Sequence, residues 1–466
     1  MSKIKGAVVV DVDRCKGCNL CVVACPTQTL ALTTNEVNHK GYVYSYMAQP
    51  ETCIGCSSCA IVCPDGCISV YKTKPATAKP AVVADKVEPV ANVASQVNNV
   101  PVEEEREVVL MKGNEAIAHA AVRCGCDGYF GYPITPQSEV LETLAELKPW
   151  ETTGMVVLQA ESEVAAINML YGGGGTGKRV MTSSASVGIA LMQEGISYMA
   201  GAEVPGVIVN VQRGGPGLGT IQPSQSDYNQ ATRGGGNGDY NVIVLAPNSV
   251  QEMADFVDQA FELAFKYRNP VMILSDGVIG QMMEKVVLPP YKPRRTEEEI
   301  ARECPWAANG NGLKRRGSNV ITSLDLEPST MEIKNLELQK KYKEIEANEV
   351  RYEVSNVEDA DYIIVAFGSA ARISHKAMEM ARKRGDKVGI FRPITVWPFP
   401  YAEIGKLATQ AKGILVVEIN AGQMVFDVRS AVEGKVPVDQ FGRMGGIVPS
   451  PDEIVEALDR LKEKTK

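Results

Sequence analysis

Eight cysteines near the amino terminus fall into two runs of identical spacing, Cys15, Cys18, Cys21 and Cys25, then Cys53, Cys56, Cys59 and Cys63. Each run ends in a proline, Pro26 and Pro64. This is the C-x2-C-x2-C-x3-C-P pattern that holds iron–sulfur clusters. Three thiolates at that spacing wrap one face of a cluster. The proline then turns the chain away, so that the fourth thiolate reaches the other cluster. The pattern assigns Cys15, Cys18, Cys21 and Cys63 to one 4Fe–4S centre and Cys53, Cys56, Cys59 and Cys25 to the other. Zinc sites show two C-x2-C pairs and do not need a third and fourth cysteine in each run. Disulfide frameworks belong to a secretory context, which is missing here. Cys67 has no place in this count and is expected to be a small buried hydrophobe. Cys124, Cys126 and Cys304 lack ligand spacing to each other and are expected to be structural.

A domain as small as residues 1–74 buries little apolar surface, so the clusters themselves must hold it together. Short strands are expected at 8–10 and 68–71. The whole chain, at 466 residues, is too long for one core and argues for about three domains. Apolar content of 45% is ordinary for a globular protein. No apolar run reaches the ~18 residues of a membrane span, and the first residues lack a signal-peptide pattern. Together with metal-type cysteines this points to a reducing cytoplasm and no membrane partner. The net charge is −8, and no long Lys/Arg block occurs, which argues against nucleic acid.

Residues 75–106, rich in Ala, Val, Asn and Pro, read as a tether without hydrophobic period. From 107 to 290 strands and helices alternate, which argues for a parallel α/β sheet. Strands are expected at 128–132, 155–159, 179–183, 207–212, 242–245 and 271–275. Helices are expected at 137–147, 162–171, 187–200 and 250–267. Thr135 sits where an N-cap belongs, with Pro136 at the first helical position. Thr135, Glu163 and Arg213 all fall at or just after strand carboxyl ends, where such sheets bind ligands. Residues 291–350 break the alternation and read as an insertion on the surface or against a partner, with a charged helical stretch at 331–350. Residues 351–466 alternate again as a second, smaller α/β domain. It has strands at 362–366, 388–391 and 414–418, a proline-bounded loop at 392–400, and helices at 373–384 and 451–462.

The run Gly172, Gly173, Gly174, Gly175, Thr176, Gly177, Lys178 nearly matches a phosphate loop, but Arg179 stands where the Mg²⁺-binding hydroxyl belongs. The context is also reversed, with a helix before the glycines and a strand after them. A flexible turn is expected instead.

Three segments together resemble one family: Tyr132 to Pro136 (YPITP), Gln159 to Glu163 (QAESE), and Val209 to Pro216 (VNVQRGGP). They are similar to the α subunit of thiamine diphosphate-dependent 2-oxoacid:ferredoxin oxidoreductases, closely over 107–290 and more loosely over 351–466. Residues 1–74 resemble the ferredoxin-like subunit of the same complexes, here fused. The run 213–223 looks like the branched-chain or 2-oxoglutarate branch more than the pyruvate branch. The resemblance implies a pyrimidine-binding-type α/β domain at 107–290 and a transketolase C-terminal-like α/β domain at 351–466. It gives Glu163 the bond to the cofactor's aminopyrimidine ring, Arg213 the substrate carboxylate, and Thr135 a contact to substrate or cofactor. Glu161, two residues from Glu163, would not share its helix face. A bland reading stands beside each: a first-turn acid on the helix dipole for Glu163, a surface arginine for Arg213, a plain N-cap for Thr135.

The family's diphosphate site is a Gly-Asp-Gly followed by an Asn-rich segment that holds Mg²⁺. This chain has only Cys126-Asp127-Gly128 and Ser275-Asp276-Gly277. The resemblance therefore implies that the diphosphate and Mg²⁺ lie on a β subunit, and that the active site forms at the α/β interface. A γ subunit and an external ferredoxin complete the implied partners. The implied reaction converts a 2-oxoacid and coenzyme A to acyl-CoA, CO₂ and two low-potential electrons. The substrate would be 2-oxoisovalerate (3-methyl-2-oxobutanoate) or 2-oxoglutarate; the latter wants a second cation, for which Arg233 or Lys178 is a candidate. The reading from another class is a non-catalytic iron–sulfur adapter on a thiamine-fold scaffold.

Overall fold

The computed structural model describes residues 6–34, 36–63, 65–72, 107–308 and 319–465. It divides into two compact units, 1–100 and 101–466. The tether expected at 75–106 lies outside the described residues.

In the first unit the strands Gly6–Val10 and Ile68–Lys72 pair antiparallel, with Val8 opposite Val70. A second small ribbon joins Leu30–Leu32 to Ser45–Met47. The short helices Leu20–Val23 and Ser58–Ile61 each lie inside one cysteine run. The buried core holds few side chains, among them Val8, Leu30, Ile68 and the thiols of Cys15, Cys21, Cys53, Cys59 and Cys67.

The second unit is built on a seven-stranded sheet. Its strand order is Thr395–Trp397, Ile243–Leu245, Pro270–Asp276, Gly206–Gln212, Val180–Ser184, Gly128–Gly131, Val156–Gln159. All neighbours are parallel except the first pair. The central strands Gly206–Gln212 and Pro270–Asp276 are buried along their whole length, which is why they read as continuous Val/Ile runs rather than alternating ones. A five-stranded sheet follows, in the order Tyr352–Ser355, Val388–Pro393, Tyr362–Ala366, Gly413–Glu418, Val438–Gly442. The two sheets are joined tightly. Gln225 Nε2 donates to the Phe367 carbonyl at 2.8 Å and its Oε1 accepts from Ile419 N–H at 3.1 Å. Asn420 Nδ2 donates to the Gln225 carbonyl at 2.7 Å.

Four expectations change. Thr135 is not a helix cap: Gln137 N–H closes a turn onto the Ile134 carbonyl at 3.0 Å, so the helix starts only at Ser138–Leu147. The Thr135–Pro136 bond is cis. The glycine run is not a flexible turn, because the helix Glu163–Gly175 continues through it. A Cβ on Gly174 would collide with the Pro205 carbonyl and lie 2.8 Å from Val204 Cγ1, so glycine there lets the helix press onto its neighbour's backbone. The proline-bounded stretch 392–400 is not all loop, since Thr395–Trp397 adds an antiparallel edge strand to the first sheet. Finally, the charged helix Pro328–Asn348 does not merely lie on the surface. It seats Leu338, Tyr342 and Ile345 in the main core. Cys304 is buried with Ile300 and Ala307 in a small cluster of its own.

Candidate active site and cluster-binding module

Two adjacent strands aim their carboxyl ends at one cleft. Val180–Ser184 leads through Ala185 into the helix Ser186–Gly201, and Gly206–Gln212 leads into Arg213. The cleft, of about 830 Å³, is lined by Glu163, Ser186, Gly188, Arg213 and Asp227, and by Asn420 from the second sheet's side.

Glu163 is the first residue of its helix, and Ser162 caps that helix by accepting from Ala165 N–H at 3.2 Å. The position suits an acid by the helix dipole, yet the side chain is only 6% exposed. A surface acid answering the dipole alone would not be buried. A Cβ on Gly188 would lie 2.6 Å from Glu163 Oε1 and would collide with Ser184 Oγ. The carboxylate is thus pressed against a bare backbone, in a cradle that any larger residue would fill. That geometry fits a carboxylate held for a planar nitrogen heterocycle. Glu161 is exposed and does not line the cleft.

Arg213 is 7% exposed. Its Nη1 donates to the Thr135 carbonyl and its Nη2 to the Leu218 carbonyl, both at 3.0 Å. Its Nε is buried with no partner among the described residues. Its backbone N–H donates to Ser186 Oγ at 3.0 Å, and that hydroxyl donates back to the Arg213 carbonyl at 3.1 Å. The guanidinium is therefore fixed by backbone on both sides, with unused N–H groups left for an anion. Thr135 enters through its carbonyl; the residue is exposed and does not line the cleft. Neither candidate for a second cation reaches the cleft. Arg233 grips both carboxylate oxygens of Asp427 at 2.9 Å, and Lys178 pairs with Glu297 at 2.5 Å.

Sequence reading missed Asp227 and Ser186. Ser186 follows a strand end, so the rule that found Arg213 could have found it. Asp227 sits in a loop with no local signature. Asn210 Nδ2 donates to its Oδ2 at 2.9 Å, and Gln212 Oε1 accepts from its N–H at 3.0 Å. Burial raises its carboxyl above the ordinary aspartate range, against the hydrogen bond from Asn210 that lowers it.

In the first unit Cys25 lines one small cavity together with Cys53, Cys56 and Cys59. The fourth thiol of the first run thus stands with three of the second. Cys63 Sγ lies 3.4 Å from Cys67 Sγ, and Cys67 in turn faces Cys15. Burial pushes the Cys25 thiol up, but hydrogen bonds from Thr29 and Thr27 together bring it down to about 7. Hydrogen bonds from Ser58 lower Cys56. Burial raises Cys21 and Cys59, and it carries Cys67 up to about 12 with help from Cys63.

The family described as pyruvate flavodoxin/ferredoxin oxidoreductase, thiamine diphosphate-binding, matches residues 119–354. Pyruvate:ferredoxin oxidoreductase core domain II matches 360–454, and the 4Fe-4S dicluster domain matches 14–67. The chain is 48% identical over 357 residues to ketoisovalerate oxidoreductase subunit VorB of Methanothermobacter thermautotrophicus, covering 76% of this chain and 97% of that one. It is 35% identical to 2-oxoglutarate synthase subunit KorA of the same organism, covering 76% and 99%. A solved structure, 2-oxoglutarate:ferredoxin oxidoreductase from Magnetococcus marinus with 2-oxoglutarate, coenzyme A and succinyl-CoA bound, superposes with a TM-score of 0.66 at 28% identity. That match covers 78% of this chain and 66% of the other.

Proposed function

Because the chain belongs to the 2-oxoacid:ferredoxin oxidoreductase family, and carries both its thiamine diphosphate-binding and 4Fe–4S dicluster domains, we propose that it is the α-type subunit, fused to its ferredoxin-like module, of an enzyme for branched-chain 2-oxoacids. The reaction takes 2-oxoisovalerate and coenzyme A to the acyl-CoA and CO₂, and passes two electrons to an external ferredoxin.

The observation that carries the substrate is the cleft wall. Arg213 is its one cation among the described residues, and Val187, Leu191, Leu218 and Met444 give it apolar surface. One cation suits the single carboxylate of a branched-chain 2-oxoacid. A buried second carboxylate, as in 2-oxoglutarate, would need a partner that the cleft lacks. The 48% identity to a ketoisovalerate oxidoreductase subunit, against 35% to a 2-oxoglutarate synthase subunit, points the same way.

Bound thiamine diphosphate would supply the nucleophilic carbon for the 2-oxo group and a sink for the electrons that decarboxylation releases. Glu163 would hold the aminopyrimidine ring by sharing a proton with a ring nitrogen. Arg213 orients the substrate carboxylate through its free N–H groups, while its bonds to Thr135 and Leu218 keep it from turning. Thr135 thus acts through its carbonyl as a positioning residue.

The relatives are named as subunits, so the chain is part of a multi-subunit assembly. Leu191, Leu218 and Met444 line the cleft and are themselves exposed. An apolar rim of this kind suits a β-type partner that brings the diphosphate and Mg²⁺ site and closes the cleft from water. A γ subunit and external ferredoxin complete the assembly, in the cytoplasm. No described helix is long and apolar enough to cross a membrane. In the first unit, Cys15, Cys18, Cys21 and Cys63 would hold one cluster and Cys53, Cys56, Cys59 and Cys25 the other, supported by the cavity that Cys25 shares with the second run.

The test is anaerobic turnover of the complex reconstituted with its β-type partner, using 2-oxoisovalerate, 2-oxoglutarate and pyruvate with coenzyme A and a viologen acceptor. The highest kcat/KM is expected for 2-oxoisovalerate. A preference for 2-oxoglutarate overturns the substrate. No turnover with any 2-oxoacid, with both clusters loaded, favours the adapter reading.

A further inference from the structure

Cys67 is the one cysteine of residues 1–74 outside the two runs. It is 5% exposed, as a small hydrophobe would be, but its surroundings are not those of a hydrophobe. Its Sγ stands 3.4 Å from Cys63 Sγ and also faces Cys15. The turn after Cys63 makes the approach: Gly66 N–H donates to the Cys63 carbonyl at 3.2 Å, and Asp11 N–H donates to the Cys67 carbonyl at 2.7 Å. Gly66 has φ +56°, a conformation that glycine adopts without strain, and it lets the turn close and bring Cys67 back to Cys63. A buried thiol in contact with one iron ligand and facing another is placed as a ligand.

We propose that Cys67 is a second ligand for the iron corner otherwise held by Cys63, so that this corner has two cysteine sulfurs within reach. The inference rests on the assignment of Cys15, Cys18, Cys21 and Cys63 to one 4Fe–4S centre. The exchange transfers no electrons. The Fe–Sγ bond to Cys63 breaks, the Cys67 thiol gives its proton to the freed Cys63 thiolate, and the Cys67 sulfur bonds the same iron. When the Cys63 thiol is absent, the proton leaves to solvent instead.

The experiment is iron analysis and low-temperature EPR of the full chain, purified anaerobically and reduced with dithionite. Wild type and Cys67→Ala are expected to hold about eight irons per chain, and Cys56→Ala, which has no spare thiol, about four. Cys63→Ala is expected to keep about eight irons with changed g values at one cluster, and Cys63→Ala/Cys67→Ala to fall to about four. Cys63→Ala falling to about four irons while Cys67 is present overturns the proposal. So does iron loss in Cys67→Ala alone, which would make Cys67 the primary ligand. Should Cys63→Ala not be recovered folded, Cys63→Ser is compared with Cys63→Ser/Cys67→Ala; identical EPR spectra then overturn it. Wild type well below eight irons, or Cys56→Ala still at about eight, sinks the ligand assignment itself.

Discussion

The guanidinium of Arg213 donates to the carbonyl of Thr135 across 3.0 Å, tying the loop after Gly206–Gln212 to the loop after Gly128–Gly131. Val180–Ser184 lies between these two strands in the sheet. The bond therefore spans the strand whose end begins the helix of Ser186 and Gly188, and it fixes the arginine over the floor of the cleft. An arginine anchored by backbone on two sides loses little freedom when it meets an anion.

Arg213→Lys tests that anchoring. A single ammonium on a flexible stem cannot hold the Thr135 and Leu218 carbonyls and also present a planar fork to a carboxylate. A hydrogen bond to a charged group contributes about 1.5–3 kcal/mol, so KM for the 2-oxoacid is expected to rise about tenfold or more in the reconstituted complex. A KM within twofold of wild type would show that the arginine does not bind substrate.

Glu163→Gln keeps shape and loses the carboxylate. The Ser162 cap is untouched, so the melting temperature is expected to stay within a few degrees while kcat drops by about 10²–10⁴. Gly188→Ala should reach the same end by another route. Its Cβ would stand 2.6 Å from Glu163 Oε1, and overpacking of this kind costs about 1–3 kcal/mol. Turnover is expected to fall with Glu163 itself intact. Full activity of both variants would return Glu163 to the role of a helix-terminal acid.

The glycine run offers a contrast within one helix. Gly172 has nothing within 4 Å of a built Cβ, whereas Gly174 faces the Pro205 carbonyl and Val204. Gly172→Ala is expected to raise stability by about 0.5–1 kcal/mol, the usual gain for alanine over glycine inside a helix. Gly174→Ala is expected to lower it by about 1–3 kcal/mol. Thermal melts of the two variants decide; a similar response in both would mean that the run is not helical.

The same run marks where sequence reading stops. The strands 207–212, 271–275 and 362–366 were legible because a strand covered on both faces needs an unbroken Val/Ile run. Ser162 was legible as the point where a helix begins, and the cysteine spacing because ligand geometry is local. Four glycines look like a break unless the backbone they approach is known, and Pro205 lies thirty-odd residues on. Thr395–Trp397 reads as loop because prolines flank it, but prolines are tolerated at a sheet edge, and this is an edge strand. Arg233 looked free to bind substrate because its partner, Asp427, is 194 residues away. Asp227 was silent for a related reason: what makes it part of the cleft is Asn210 and Gln212, which reach it from a separate strand.

Asp227 also gives a pH signature. Burial raises its carboxyl above the usual aspartate value of 3.8, only partly offset by the hydrogen bond from Asn210. The folded chain therefore holds the proton more tightly than the unfolded chain. The stability this contributes is present in full below the unfolded pKa and is lost as pH rises through the folded one. Above the folded pKa, the charge on this half-buried carboxylate carries a net cost. Asp227→Asn removes that cost and keeps an acceptor for Asn210, so its melting temperature is expected to exceed wild type at pH 7. The gain should shrink toward zero as the pH approaches 4. A gain that is independent of pH would mean that the effect is one of packing and not of charge. If the variant is both more stable and slower in turnover, the carboxylate is kept at a cost to the fold because the cleft uses it.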